Sequence, residues 1–321
     1  MASFKASDIH RQAQNRLQQA AAPKRLVLIH TLVALGTTLL IAGVNYLFSL
    51  LIADTGGLSG MGARSILSTV QTLLEMTVII ALPFWQIGLT FLALCWAQNV
   101  PTETDGLLYG FRQFKAVLMF RILYGLVFLV FLFAAANLSS IILLVTPFSN
   151  PLLDEISPLM DPANAAQIDA LLSPDKLADM LNAMIPLLVI FGVVFLVIAI
   201  PVFYRLRLGE FALMDGFSSS NALLYSFRLT KGNWRHLVRL DLHFWWFYVL
   251  LLLCNVIGNG NLLLPLLGIS LPIGEDGAYF LFFILGTALQ ILLFWQCRAA
   301  VLTSYAVVYD TLSQPQTDAL R

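Results

Sequence analysis

The residues able to do chemistry are few in this chain, and they stand in apolar surroundings. Glu75, Gln86, Gln290, Gln296 and Arg298 lie within or beside otherwise hydrophobic stretches, as do Asn45, Asn137 and Asn255. A carboxyl, a guanidinium and several amides so placed can relay protons, hold an anion or cross-link helices. For the Asn and Gln residues, interhelical hydrogen bonds of about 0.6 kcal/mol each are explanation enough. Arg298 is followed by the mostly apolar segment 299–308. It either snorkels to an interface while its helix continues, the favoured reading, or sits in a hydrated inner cavity. Arg121 and Asp241 fall at the ends of apolar segments, and Asp241 is expected to pair with Arg239, Arg298 or another basic residue.

Chemistry that depends on a local motif finds none here. There is no HExxH, GxSxG, phosphate-binding loop or CxxC. Gly57, Gly60 and Gly62 lack the Gly-Lys-Ser/Thr ending of a phosphate loop and read as a flexible connection. Cys95, Cys254 and Cys297 stand in apolar segments and read as packing residues. His10, His30, His236 and His243 are scattered, without the carboxylate spacing of a zinc site. No metal or cofactor is expected.

The elements that must position these residues follow from composition. The 321 residues are 59% hydrophobic and 11% charged, with a mean hydropathy of +0.83, whereas soluble domains carry about 25% charged residues. Such a chain has too little polar surface to cover a water-soluble globule, so it reads as an integral membrane protein. Its 18 basic and 18 acidic residues cancel, which excludes the basic footprint of a nucleic-acid binder.

A hydrocarbon core of about 30 Å needs around 20 apolar residues per helix. Six segments qualify: 26–53, a stretch within 65–97 that holds Glu75 and Pro83, 116–145, 183–204, 242–258 and 279–309. All 18 basic residues except Arg64 and Lys176 then fall on one side, which the positive-inside rule places in the cytoplasm. The expected fold is therefore all-α, a polytopic bundle of six transmembrane helices in three hairpin-like units with both termini inside. The domain 26–310 would be flanked by a cytoplasmic segment 1–25 and a cytoplasmic tail 311–321. Residues 7–21 predict an amphipathic helix capped by Ser7, with Ile9, Ala13, Leu17 and Ala21 on one stripe; it is expected to rest on the inner lipid surface. The polar stretch before a long first span argues against a cleavable signal. Segment 147–182, punctuated by Pro151, Pro158, Pro162 and Pro174, predicts an outside insertion with short helices at 165–172 and 176–182. Glu75 has two placements: an interfacial acid if the second span runs 76–97, the favoured one, or a residue near the bilayer centre if it runs 66–85.

Two segments match at a constant offset: LLYGFRQFK at 107–115 and LLYSFRLTK at 223–231. The matches include Tyr109 with Tyr225, Phe111 with Phe227, Arg112 with Arg228 and Lys115 with Lys231. A related tripeptide occurs as Phe84-Trp85-Gln86, Phe203-Tyr204-Arg205 and Phe294-Trp295-Gln296. Together these predict a helical hairpin used three times in parallel orientation. Tyr109, Arg112 and Lys115, with Tyr225, Arg228 and Lys231, are expected to bed rings at the headgroup level and offer cations to lipid phosphates. The aromatic run 244–248 reads as an interfacial belt.

The segment YGFRQF, the stretch SFRLTKGNW at 226–234 and YAVVY at 305–309 resemble a bacterial family of six-helix membrane proteins of unknown function. That family is related to the membrane domain of glycerophosphodiester phosphodiesterases, and the likeness covers about residues 17–312. It implies paired helical hairpins in the bacterial cytoplasmic (inner) membrane and supplies no catalytic residues. The chain departs from the pattern in its long segment 147–182. No soluble phosphodiesterase domain follows the last span, so that activity is not expected here. The expected function is that of a non-enzymatic scaffold, accessory or lipid-interacting protein, with membrane lipids and another membrane protein as partners. The alternative is a transporter of a small molecule or lipid using Glu75, Gln86, Gln290, Gln296 and Arg298. An intramembrane enzyme acting on lipids ranks last, since no nucleophile–base pair is visible.

Overall fold

The computed structural model describes residues 5–54, 58–146, 174–260 and 274–318. It is about 89% helical, with no strand among the described residues. The helices are α1 (Ala6–Gln19), α2 (Pro23–Asp54), α3 (Leu58–Ala97), α4 (Tyr109–Arg112), α5 (Phe114–Val145) and α6 (Pro174–Leu206). They continue as α7 (Gly209–Met214), α8 (Ser219–Leu229), α9 (Trp234–His243), α10 (Trp245–Gly258), α11 (Gly274–Leu293) and α12 (Ala299–Asp318). A 3-10 turn, Thr104–Leu108, precedes α4, and a π turn, Phe294–Arg298, joins α11 to α12.

Five helical segments are long and apolar enough to cross a membrane, and α9 with α10 makes a sixth if that bent pair is one span. The expected fifth span, 242–258, is therefore not straight: the axis turns by 59° between α9 and α10. With 14 residues, α10 rises about 21 Å, short of the roughly 30 Å hydrocarbon core. The cause lies in α9. Its buried stripe holds Leu237 and Leu240, while Arg235 and Arg239 are exposed. Those cations are costly in hydrocarbon, and the turn at buried Phe244 lets α9 depart from the direction of α10.

Two other expectations change. Helix α3 begins at Leu58, so Gly60 and Gly62 lie on a helix and not in a turn. Residues 176–182 are the first turns of α6 and not a separate helix. Gly57 and the segment 147–173, with the helix expected at 165–172, lie outside the described residues.

The chain divides into two compact units, residues Met1–Leu118 with Leu208–Arg321, and residues Met119–Arg207. In the first, the core sits on the later parts of the apolar spans Ser68–Ala97 and Leu281–Ser313 and at the end of Met184–Met214. Phe84, Ile87, Leu89 and 92–97 of α3, 211–214 of α7, and Val301 with 303–309 of α12 are buried. Trp96, Tyr309, Ile87, Leu92, Leu208 and Leu237 are almost wholly enclosed. Helix α1 packs on α12, α9 and α3 with Ile9 and Ala13 buried. Two of the four stripe residues are thus covered by the protein's own core, while Leu17 is half-buried and Ala21 lies beyond the end of the helix, exposed. Lys5 holds the capping position without a side-chain bond, and Ser7 lies inside the helix.

Close backbone approach at two glycines seats the 104–112 segment along α3. A Cβ at Gly88 would strike the Leu107 carbonyl, and one at Gly110 would strike the Phe84 carbonyl. Gly286 of α11 lies similarly tight on Gly258 of α10.

The second unit is built from α5 and α6, which meet through rings. Tyr124 lies 5.7 Å from Phe203, and Phe128 lies 5.6 Å from Phe195 and 5.9 Å from Phe203 between centroids. Outward residues are apolar, with Phe133 67% and Val197 68% exposed. In the Met184–Met214 span only 6% of the most apolar window is buried, against 53% for Ser68–Ala97. A surface so apolar matches hydrocarbon as solvent.

Gly88→Ala and Gly110→Ala are expected to lower stability by about 1–3 kcal/mol each, because two backbones must part. Gly36→Ala and Gly125→Ala, with nothing within 4 Å, should leave it unchanged or slightly raised. Thermal unfolding of the purified variants in detergent distinguishes the two pairs.

Candidate functional site

Where α2 crosses α3, His30 and Trp85 make a reciprocal pair. His30 Nε2 lies 3.1 Å from the Trp85 carbonyl oxygen, and the Trp85 indole N–H donates to the His30 carbonyl at 2.9 Å. Their rings stack at 5.3 Å. With its Nε2–H donated, neutral His30 keeps a lone pair on Nδ1, which is buried and has no partner among the described residues. Arg298 closes this region from the π turn. Its guanidinium lies 4.6 Å above the Phe294 ring and near enough to His30 for their charges to interact. Arg298 is thus half-buried and packed on an aromatic face of its own helical path.

The core of the first unit is held by hydroxyl–carboxyl contacts between segments distant in sequence. Asp241 of α9 accepts hydrogen bonds from the hydroxyls of Tyr248 on α10, at 2.9 Å, and Tyr305 on α12. These two tyrosine hydroxyls are partners of Asp241 that the sequence did not point to. Tyr309 of α12 donates to Asp215 at 2.9 Å, and Thr90 of α3 donates to Glu210 of α7 at 3.2 Å. Ser219 of α8 donates to the Ala116 carbonyl at 2.8 Å. Sequence reasoning singled out none of Glu210, Asp215, Tyr248, Tyr305 or Tyr309 as a pairing residue. The available signal was YAVVY, whose two tyrosines stand four apart on one helix face.

The intramembrane candidates do not form one polar cluster. Gln86 is exposed and makes no side-chain hydrogen bond among the described residues. Gln290 is half-buried on α11. Gln296 is exposed and accepts from Lys24 Nζ at 3.4 Å; both line a cavity of about 460 Å³ with Gln14 and Leu17 of α1. Glu75 lies on α3, and its side chain falls outside the described part of the structure.

The rings of the paired loop residues stack on other aromatic side chains. Tyr109 stacks on Phe91 at 4.0 Å, and its hydroxyl reaches the Met214 carbonyl at 3.5 Å. Tyr225 stacks on Phe217 at 4.5 Å and meets Tyr309 edge-on at 6.5 Å. Burial pushes both phenol pKa values up, with smaller contributions from Cys95 at Tyr109 and Asp215 at Tyr225. Both rings are half-buried against other rings of the protein. Arg112 pairs with Asp105 at 2.7 Å on the surface, so part of its charge is already answered. Lys115, Arg228 and Lys231 are exposed.

At the junction of α1 and α9, the His10 ring lies 5.2 Å from His243 and 5.2 Å from Phe244. Burial, and secondarily the neighbouring His243, lower the His10 pKa from its ordinary 6.5. No group of three His, Cys, Asp or Glu among the described residues is placed to hold a metal ion. Compared with protein-family models, with curated proteins and with solved structures, the chain finds no match.

Tyr305→Phe and Tyr309→Phe should each destabilise the protein by about 1–2 kcal/mol, since each leaves a carboxyl short of a donor; thermal unfolding checks this. The fold favours neutral His10, so its contribution is complete above pH 6.5 and falls away as acidification protonates it. Protease accessibility of α1 should therefore rise between about pH 7.5 and 5, and less so in His10→Phe.

Proposed function

We propose that this is a multi-pass, non-enzymatic membrane protein that organises anionic lipid around a rigid layer at the cytoplasmic face of the inner membrane. One observation carries the reading. In the first unit the buried core gathers in the later parts of the apolar spans Ser68–Ala97 and Leu281–Ser313, and exposed cations at Lys115, Arg228, Lys231, Arg235 and Arg239 belong to the same unit. Each cation held near an anionic membrane surface contributes about 1 kcal/mol of attraction. The concentration of basic residues on this side supports a cytoplasmic orientation, with α9 and α10 counted as one bent span and both termini inside. The paired loops support a duplicated hairpin, each copy providing a ring for the core and cations for lipid. A second membrane protein docking on the same layer fits the scaffold aspect of this reading. The transport reading draws less support, because Arg298 is packed on Phe294 and Gln86 stands without a side-chain partner.

The test is the lipid that accompanies the purified chain. A variant combining Arg112→Gln, Lys115→Gln, Arg228→Gln and Lys231→Gln should lose roughly tenfold of its enrichment in anionic over zwitterionic lipid, allowing for incomplete attraction per cation. Identical lipid composition in variant and parent would overturn the proposal.

A further inference from the structure

The second unit holds a groove that the reading above does not use. Tyr124 of α5 faces Phe195, Ala199, Phe203 and Tyr204 of α6 across a cavity of about 340 Å³, with Arg207 at its end. That volume falls at the small end of the roughly 300–1,000 Å³ typical of ligand sites, a size for one chain and not a whole lipid. The ring contacts pair rising numbers on α5 with falling numbers on α6, Tyr124 with Phe203 and Phe128 with Phe195. The helices are therefore antiparallel. Arg121, near the start of α5, accordingly lies at the same end as Arg205 and Arg207. The stretch 195–204 and the part of α5 beyond Arg121 carry no charged residue, so the groove is apolar along its length, and Arg121, Arg205 and Arg207 stand at one end, with Glu210 three residues past Arg207 in the sequence. From Phe195 to Arg207 the α6 side runs about 18 Å at 1.5 Å per residue, close to the roughly 15 Å of one leaflet's hydrocarbon.

We propose that this groove seats an acyl chain of an anionic phospholipid, with the lipid phosphate held at the Arg207 end. Ala199 provides the floor: it is 2% exposed, and its single methyl leaves room that a larger side chain would fill. Tyr124, Phe195 and Phe203 wall the chain with flat apolar surface. Arg207, whose guanidinium lies 5.7 Å from the Tyr204 ring, provides a planar donor fork suited to a phosphate. The zwitterionic lipid of equal chain length fits the same groove but brings its own cation to the guanidinium end. Charge complementarity thus selects the anionic headgroup. The inference rests on the lipid-binding reading above but concerns different residues.

Native mass spectrometry of the full chain, released in detergent and titrated with phosphatidylglycerol or phosphatidylcholine, tests it. The parent should retain one phosphatidylglycerol with about tenfold preference, the worth of a charge-assisted contact. Ala199→Phe should lose it by filling the floor. Leu196→Trp, at a rim position 54% exposed and so tolerant of bulk, should lose it as well. Arg207→Gln should weaken phosphatidylglycerol alone, and Arg207→Lys should keep part of the preference. Equal retention of both lipids, or retention undiminished in all groove variants, overturns the proposal. So does a dimer of the parent that Leu196→Trp dissociates, since a second copy would then cover the groove. If the groove variants keep the lipid while the fourfold loop variant loses its anionic enrichment, the groove fails and the broader reading stands. The converse result retains the groove and removes the broader reading.

Discussion

Hydrocarbon offers no hydrogen bonds, and that constraint shapes the arrangement of this chain. Inside the bilayer a helix satisfies its own backbone, and apolar side chains gain nothing by leaving lipid for one another. The spans are accordingly exposed over much of their length, as Phe133, Val197 and Leu188 show. Toward the later parts of Ser68–Ala97 and Leu281–Ser313 the balance changes: apolar surface there is buried against α1, α3, α7 and α12. The structure is loosely built in α5 and α6 and closely built in these segments.

The same reasoning explains the chemistry of the buried contacts. Several long-range links in the core join a neutral hydroxyl to a carboxyl: Tyr305 and Tyr248 to Asp241, Tyr309 to Asp215, Thr90 to Glu210. Hydroxyls can donate in a half-buried setting without adding a second charge that must be desolvated. Lys115, Arg228 and Lys231 are exposed on the same unit.

The all-α class was legible from the sequence because it rests on runs of apolar residues. Helix α2 and the continuous path through α11 and α12 were readable on that ground alone. What escaped was decided by partners far along the chain. The Ile9 and Ala13 stripe looks the same whether lipid or α12 covers it. Asp241 was matched to basic residues by charge, and nothing in the sequence marked Tyr305, 64 positions away, as a donor to it. The bend at Phe244 was hidden because 242–258 is apolar on average, and only the alternation in α9 shows where that helix leaves the direction of α10. Glycine spacing gave no sign that Gly88 and Gly110 face carbonyls of each other's segments.

The π turn at Phe294–Arg298 sets the rotational phase of everything after it. A regular helix advances about 100° per residue, so removing one residue here would swing α12 by that angle about its axis. Tyr305 and Tyr309, four apart on one face, would leave Asp241 and Asp215 together. Two hydroxyl anchors and the fit of α1 on α12 therefore depend on a single irregular turn of backbone. That irregularity works as an alignment key between the helix that lipid surrounds and the helix that protein surrounds.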